Sequence, residues 1–210
     1  MKIFLDLDGT ILDIKHRCYK IYVSILSQFG FDVVNISTYW EMKRNRISEE
    51  SIASKTTPLL FAKYYAEERV NLIETMDYLV LDSVLDGVYE ILNRWFFNHT
   101  LYLVTLRRNN VNLNNQLSLL GLNRYFKHVY SADKLEVKKE DLIRHAVSNK
   151  NECIIIGDTE ADIKAGKVLS IKTVAVDNGI RNRYWLEKTF PDILLSSVCD
   201  FNLVDYIENI

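Results

Sequence analysis

Asp6 and Asp8 stand one residue apart at the end of an apolar run, "MKIFLDLDGT", and Gly9 follows at once. Asp158 closes a second apolar run, "CIIIGD", with Asp162 four residues on. Carboxylates brought close together repel unless a cation or a proton comes between them. No histidine or cysteine joins these four, so the ligand set is all oxygen. Such a set suits Mg2+, which takes a few carboxylates and leaves room for waters and a substrate phosphate. A phosphate needs donors as well. Thr105 ends a third apolar run, "LYLVT", with Leu106 and its backbone N–H next in line, and Lys138 and Lys139 sit in "EVKKEDLI". A cation at the start of a helix runs against the macrodipole preference for acids there, which points to another duty. One at a time these features have plainer readings: a turn, a structural threonine, a solvated lysine pair. Their weight lies in occurring together.

What must bring them together is a sheet. "KIFLD", "LYLVT", "KHVYS", "CIIIGD" and "KTVAV" are short and rich in β-branched or aromatic residues, and "DILLS" is a sixth run of the kind. Helical patterns separate most of them. Residues 87–97 put Val88, Ile91, Leu92 and Trp95 on one face, and residues 139–147 do the same with Leu142, Ile143 and Ala146. Such alternation predicts an α/β fold, a doubly wound and mostly parallel sheet covered on both faces. Ligands in such folds bind beyond the carboxyl ends of the strands. Asp6, Asp8, Thr105 and Asp158 all fall at that edge, and a helix starting near Thr159 turns Asp162 toward the same crevice.

One stretch breaks the rhythm. Residues 14–83 read as helical, with Cys18, Ile21, Ile25 and Phe29 on one face before Gly30, and "PLLFAKYYAEERVNLIE" as a later helix with Pro58 in its first turn. This stretch is too long for a connecting loop in a compact domain. It is expected to be a small helical cap inserted into an α/β core formed by residues 1–13 and 84–210; the alternative is that its helices pack directly on the sheet. Within it, "STYWEMKRNRIS" sets Tyr39 and Trp40 beside Lys43, Arg44 and Arg46. The plainer reading is a packed aromatic with a basic solvated face; the sharper one is a cluster closing over an anionic substrate. Gly30, Gly121 and Gly166 are placed just after helices.

Composition excludes several classes. In a chain of 210 residues, 48% are hydrophobic and 26% charged, a balance that belongs to a folded globular protein. A formal net charge of −2 gives no general attraction to nucleic acid or to anionic membranes. No apolar run approaches a membrane span, and no signal-peptide pattern opens the chain. Cys18, Cys153 and Cys199 are far apart and odd in number, and His16, His99, His128 and His145 are scattered. The expectation is a reduced, cytoplasmic protein without a zinc site.

The ordered set "FLDLDGT", "LYLVT", "KKEDLI" and "IIIGDTEAD" strongly resembles the motifs of the haloacid dehalogenase superfamily, in family order and across nearly the whole chain. The helical insertion resembles the C1 cap of its phosphatase-like members in position and helical character. The resemblance implies that Asp6 is a nucleophile forming an aspartyl-phosphate, and that Asp8 protonates the leaving oxygen and then activates water. It implies Mg2+ between the Asp6 carboxylate, the Asp8 main-chain carbonyl and Asp158, with Asp162 direct or through water. Thr105, Leu106 and a lysine would hold the phosphoryl oxygens, with Lys139 favoured over Lys138 by its spacing to Leu142 and Ile143. An acid at position 8 makes dehalogenation a poor fit, since halide leaves without a proton. Leu106 departs from the small or polar residue common in relatives at that place, and Arg107 and Arg108 after it are expected to face water, with contact to substrate as the alternative. The implied activity is Mg2+-dependent hydrolysis of a small soluble phosphate monoester. A phosphomutase of the β-phosphoglucomutase kind and an inactive binding protein on the same fold remain as alternatives.

Overall fold

Runs of Ile, Val and aromatic residues form strands where cover is available on both faces, and all six expected runs do so in the computed structural model of this chain, which describes residues 1–132, 134 and 136–202. Residues 133, 135 and 203–210, part of the expected core, lie outside the described residues. The strands are β1 (Lys2–Leu5), β2 (Leu12–Asp13), β3 (Ser83–Val84), β4 (Thr100–Thr105), β5 (His128–Ser131), β6 (Cys153–Gly157), β7 (Lys172–Val176) and β8 (Ile193–Leu195). The α-helices run α1 (Lys15–Ser27), α2 (Ile36–Arg44), α3 (Glu49–Ala53), α4 (Phe61–Leu72) and α5 (Met76–Leu79) before β3. After it come α6 (Val88–Phe96), α7 (Asn110–Leu119), α8 (Lys139–Ile143), α9 (Glu160–Leu169) and α10 (Arg183–Glu187).

Six strands make one parallel sheet in the order β5-β4-β1-β6-β7-β8. From β1 the chain steps outward to β4 and β5, then returns across β1 to β6. The strand order therefore reverses at β1, and the carboxyl ends of β4, β1 and β6 stand side by side at the switch point. Side chains alternate between two buried layers: Ile3 and Leu5 join Leu103, Ile154 and Ile156 on one face, while Phe4 joins Tyr102, Val104 and Ile155 on the other. This is the doubly wound α/β architecture that the alternating pattern predicts.

The helices α1–α5 all lie between β2 and β3, which pair antiparallel as a short ladder at the point where the chain leaves and re-enters the α/β part. Apolar packing does not stop at that ladder. Ile21, Tyr22, Ile25, Tyr39, Ile52 and Tyr65 belong to the same buried cluster as Ile3 and Leu5. Inside the helical segment one carboxylate gathers the polar atoms. Glu49 accepts from Tyr39 Oη at 3.0 Å and Tyr65 Oη at 2.8 Å, and pairs with Lys43 Nζ at 2.5 Å and Arg69 Nε at 3.2 Å. Burial pushes its pKa upward, yet Lys43 and Arg69 bring it down to about 2.

Four expectations need correction. Phe29 does not share the buried face of α1, which ends two residues earlier; it is half exposed and packs on Phe31 and Phe61. Pro58 lies ahead of α4, in a turn closed by the Phe61 N–H on its carbonyl. The helix at 139–147 stops at Ile143 and runs on as a 3-10 turn over Arg144–Ala146. Gly166 does not terminate a helix but sits inside α9, where a Cβ would strike the buried side chains of Thr173 and Ile155.

Two outcomes follow. Alanine at 166 gains about 1 kcal/mol of helix propensity but overpacks the α9–sheet contact by roughly 1–3 kcal/mol. Gly166→Ala is therefore expected to lower the denaturant midpoint, and a raised midpoint would mean that the contact yields. For Glu49, a folded-state pKa of about 2 against an ordinary 4.5 means stability that is present above the ordinary value and lost as pH falls toward 2. The stability gap between the wild type and Glu49→Gln should then narrow between pH 5 and pH 3. A gap that stays constant over that range would contradict the ion pairing.

Candidate active site

Each functional side chain is placed by the end of a buried strand. Asp6 directly follows β1, and its N–H still donates to the Ile156 carbonyl at 3.0 Å, so the β1–β6 ladder reaches the carboxylate itself. The chain then doubles back, with the N–H groups of Ile11 and Leu12 both donating to the Leu7 carbonyl. Gly9 makes this reversal at φ +86°, and any Cβ there would run into the Asp158 carboxylate. Asp158 follows β6. Thr159 caps α9, and Asp162 closes the capping box by accepting from the Thr159 N–H at 3.1 Å and hydroxyl at 2.6 Å.

Asp6, Asp158 and Asp162 come together, with one carboxylate oxygen from each lying within 4.8 Å of the others, and all three are buried. Lys139 Nζ is 2.5 Å from Asp6 Oδ1 and 2.5 Å from Asp162 Oδ1. Lys138 is exposed at the N-cap of α8, and it is the buried Lys139 that reaches the carboxylates. Thr105 is buried beside the cluster, and the Arg107 N–H donates to its hydroxyl at 3.3 Å. Burial, with Asp162 and Asp8 nearby, raises Asp6 to about 7 against the pull of Lys139. Asp158 is raised well above the carboxylate range by burial and by Asp6 and Asp162. Three buried carboxylates facing one ammonium are short of positive charge, and the donors are all oxygen; both properties fit a hard divalent cation.

Asp8 belongs to a second network. Its carboxylate accepts from Arg17 Nη2 at 2.6 Å and from Arg107 Nε at 2.8 Å and Nη2 at 2.5 Å. Both guanidiniums also meet the buried Asp82, Arg17 Nε at 3.1 Å and Arg107 Nη2 at 3.3 Å, while Gln116 bonds both Asp82 and Arg107. Burial raises the Asp8 pKa, but Arg107 and Arg17 overcome it and hold the carboxyl well below its usual range. Arg107 therefore does not face water as expected. The strand-end turn after β4 directs it inward, where two carboxylates meet it. Arg108 is half-buried, and its backbone N–H donates to Glu74 at 2.9 Å. Arg17 and Asp82 escaped the sequence reading. The usable signal was Arg17 four residues before Ile21 on the apolar stripe of α1, a charge where only a buried partner makes sense.

These groups open into a cavity of about 370 Å³. The sheet side contributes Asp6, Asp8, Thr105, Leu106 and Lys139; the helical side contributes Arg17, Lys43 and Arg69. Of the run at 37–48, Tyr39 is packed and Arg46 is exposed, as the plainer reading has it, whereas Lys43 and Arg44 turn inward. Lys43 lines the cavity, Arg44 bonds the Asp177 carbonyl, and Arg46 pairs with Glu160 at 3.1 Å while lying over the Trp185 ring. Among the described residues no helix is long and apolar enough to cross a membrane, and Cys18, Cys153 and Cys199 are free thiols.

The sequence pattern of the haloacid dehalogenase-like hydrolases matches residues 3–176. The chain is 27% identical to pyrophosphatase PpaX of Listeria innocua, over 94% of this chain and 93% of that protein. Among solved structures, a haloacid dehalogenase-like family hydrolase from Streptococcus pneumoniae superposes with a TM-score of 0.77 at 17% identity, covering 99% of this chain and 97% of that one. A structure described as a predicted phosphatase from Clostridium acetobutylicum gives 0.75 at 20% identity, covering 100% and 98%. With the family pattern spanning most of its length and the strand-end acids gathered at one sheet edge, this chain belongs to the haloacid dehalogenase-like hydrolases.

Proposed function

We propose that the protein is a Mg2+-dependent phosphatase that hydrolyses a small soluble phosphate ester through an aspartyl-phosphate on Asp6. The observation that carries this reading is the shared mouth of Asp6, Thr105 and Lys139 beside a buried oxygen-only cluster. Asp6, Asp158 and the Asp8 main-chain carbonyl would hold the metal. Asp162 would act through water, since both its oxygens already accept from Lys139 and Thr159. When bound, the metal supplies positive charge that lets an anionic nucleophile and an anionic substrate approach.

Asp6 attacks phosphorus, the bond to the leaving oxygen breaks, and the electron pair departs with that oxygen. Lys139 and the Thr105 hydroxyl hold the phosphoryl oxygens as charge moves onto them. Water then attacks phosphorus as the bond to Asp6 breaks, and it gives a proton to Asp8. Asp8 passes that proton to the departed oxygen or to solvent, so that phosphate leaves and both carboxylates are restored. The helical segment 14–83 acts as the cap over this chemistry, with Glu74, Arg44 and Arg46 anchoring it to the sheet side.

The arginine pair on Asp8 favours a second reading of the substrate. An ionised Asp8 is a ready base for the water step but a poor proton donor for an alkoxide. A phosphoanhydride avoids that difficulty, because its leaving group is phosphate, a far weaker base. The name carried by the Listeria relative points the same way.

Phosphate release from p-nitrophenyl phosphate and from pyrophosphate, with and without Mg2+, tests both readings. Chelation with EDTA should abolish turnover and added Mg2+ should restore it. Asp6→Asn should cost at least about a thousand-fold in kcat while the protein still unfolds in one cooperative transition. Near-normal turnover by that variant would remove the nucleophile from the scheme. Arg107→Lys keeps the charge but loses the forked contact, and is expected to lower kcat on the order of ten- to a hundred-fold with little change in KM. An equal change in both parameters would instead place Arg107 in substrate binding.

A further inference from the structure

The helical wall of the cavity carries a pair of cations that the hydrolytic scheme does not use. Lys43, in the last turn of α2, and Arg69, in the last turn of α4, line the same cavity as Asp6, Thr105 and Lys139. Their side chains are largely covered, 11% and 21% exposed, and both turn on Glu49. Among the described residues, Glu49 is the one acceptor within reach of Lys43 Nζ, leaving two of its three donors free, and the terminal nitrogens of Arg69 bond nothing. Two cations against one carboxylate leave this wall with surplus positive charge. The other acids lining the cavity are held elsewhere, Asp6 by Lys139. Asp8 is taken by Arg17 and Arg107, and Glu74 by the backbone N–H groups of Arg108 and Asn109.

We propose that Lys43 and Arg69 form a second anion subsite, so that the preferred substrate carries a second anionic group, a phosphate or a carboxylate, a short distance from the phosphoryl group that is transferred. This rests on the phosphatase reading for the position of the first group. Guanidinium and ammonium donors suit such an anion, the first through its planar fork and the second as a point charge. Glu49 acts as the resident counterion. Tyr39 and Tyr65 anchor it from behind, so the two cations stay aimed and charged while the site is empty. In a phosphoanhydride the group at this subsite is the leaving phosphate; in a bifunctional monoester it is the remote end of the leaving group.

Binding decides this without turnover. The probes are methylphosphonate, phosphonoacetate and methylenediphosphonate, titrated calorimetrically into the full chain at fixed free Mg2+. The wild type is expected to bind at least one of the two bifunctional probes ten-fold or more tighter than methylphosphonate. The tighter of the two tells whether the second group is a carboxylate or a phosphate. Lys43→Gln and Arg69→Gln should each shrink that preference to about two-fold. Should either variant fold poorly, Glu49→Gln provides the opposite sign: removing the counterion should strengthen binding of the bifunctional probe several-fold. Equal affinity for all three probes in the wild type would overturn the subsite, as would a preference untouched by the variants. Loss of Mg2+-dependent, Asp6-dependent hydrolysis would instead sink the phosphatase reading, while the probe preference would still stand or fall by itself.

Discussion

Three carboxylates buried within 4.8 Å of one another at the end of a parallel sheet oppose folding unless positive charge is brought to them. Much of the surrounding structure answers that demand. Lys139 is drawn into the interior, against its usual place on the surface, to pair with Asp6 and Asp162. The first turn of α9 spends its capping box on Asp162, and the Ile180 N–H reaches Asp158 at 2.5 Å. What remains unbalanced after these contacts matches a hard divalent ion.

The cavity sorts its charge into three separate groups. At the floor, acids outnumber cations. Midway, Asp8 and Asp82 are matched by Arg17 and Arg107. On the helical wall, Lys43 and Arg69 outnumber Glu49. Neutral partners brace the acids of the last two groups, Gln116 on Asp82 and Tyr39 and Tyr65 on Glu49. Polarity therefore changes sign across a small space, from a floor suited to a metal to a wall suited to an anion.

The strands and the acids were legible because both follow short-range rules. A buried parallel strand must be apolar along its length, and the first polar residue after it marks the ligand-binding edge. That is why Asp6, Thr105 and Asp158 could be placed from the runs before them. Asp162 was legible through the helix start expected near Thr159, whose first turn carries it toward the same edge. Arg107, Arg17 and Asp82 were not, because their pairing depends on how the helical segment crosses the end of β4, and no local spacing encodes that crossing. Gly166 misled for a related reason. Glycine in a helix usually signals a stop, whereas here it answers to side chains on β6 and β7 that are near it only after folding.

The two-residue ladder of β2 and β3 gives the molecule a mechanical property. Both chain passages to the helical segment run through this one narrow ribbon, and Asp82 and Arg17 lie just beyond it on the same side. A swing of the helices about the ribbon would draw the Arg17 guanidinium off Asp8 while leaving Arg107, rooted beyond β4, in place. Asp8 is thus tied from both sides of the ribbon, by Arg17 from the helical segment and by Arg107 from beyond β4.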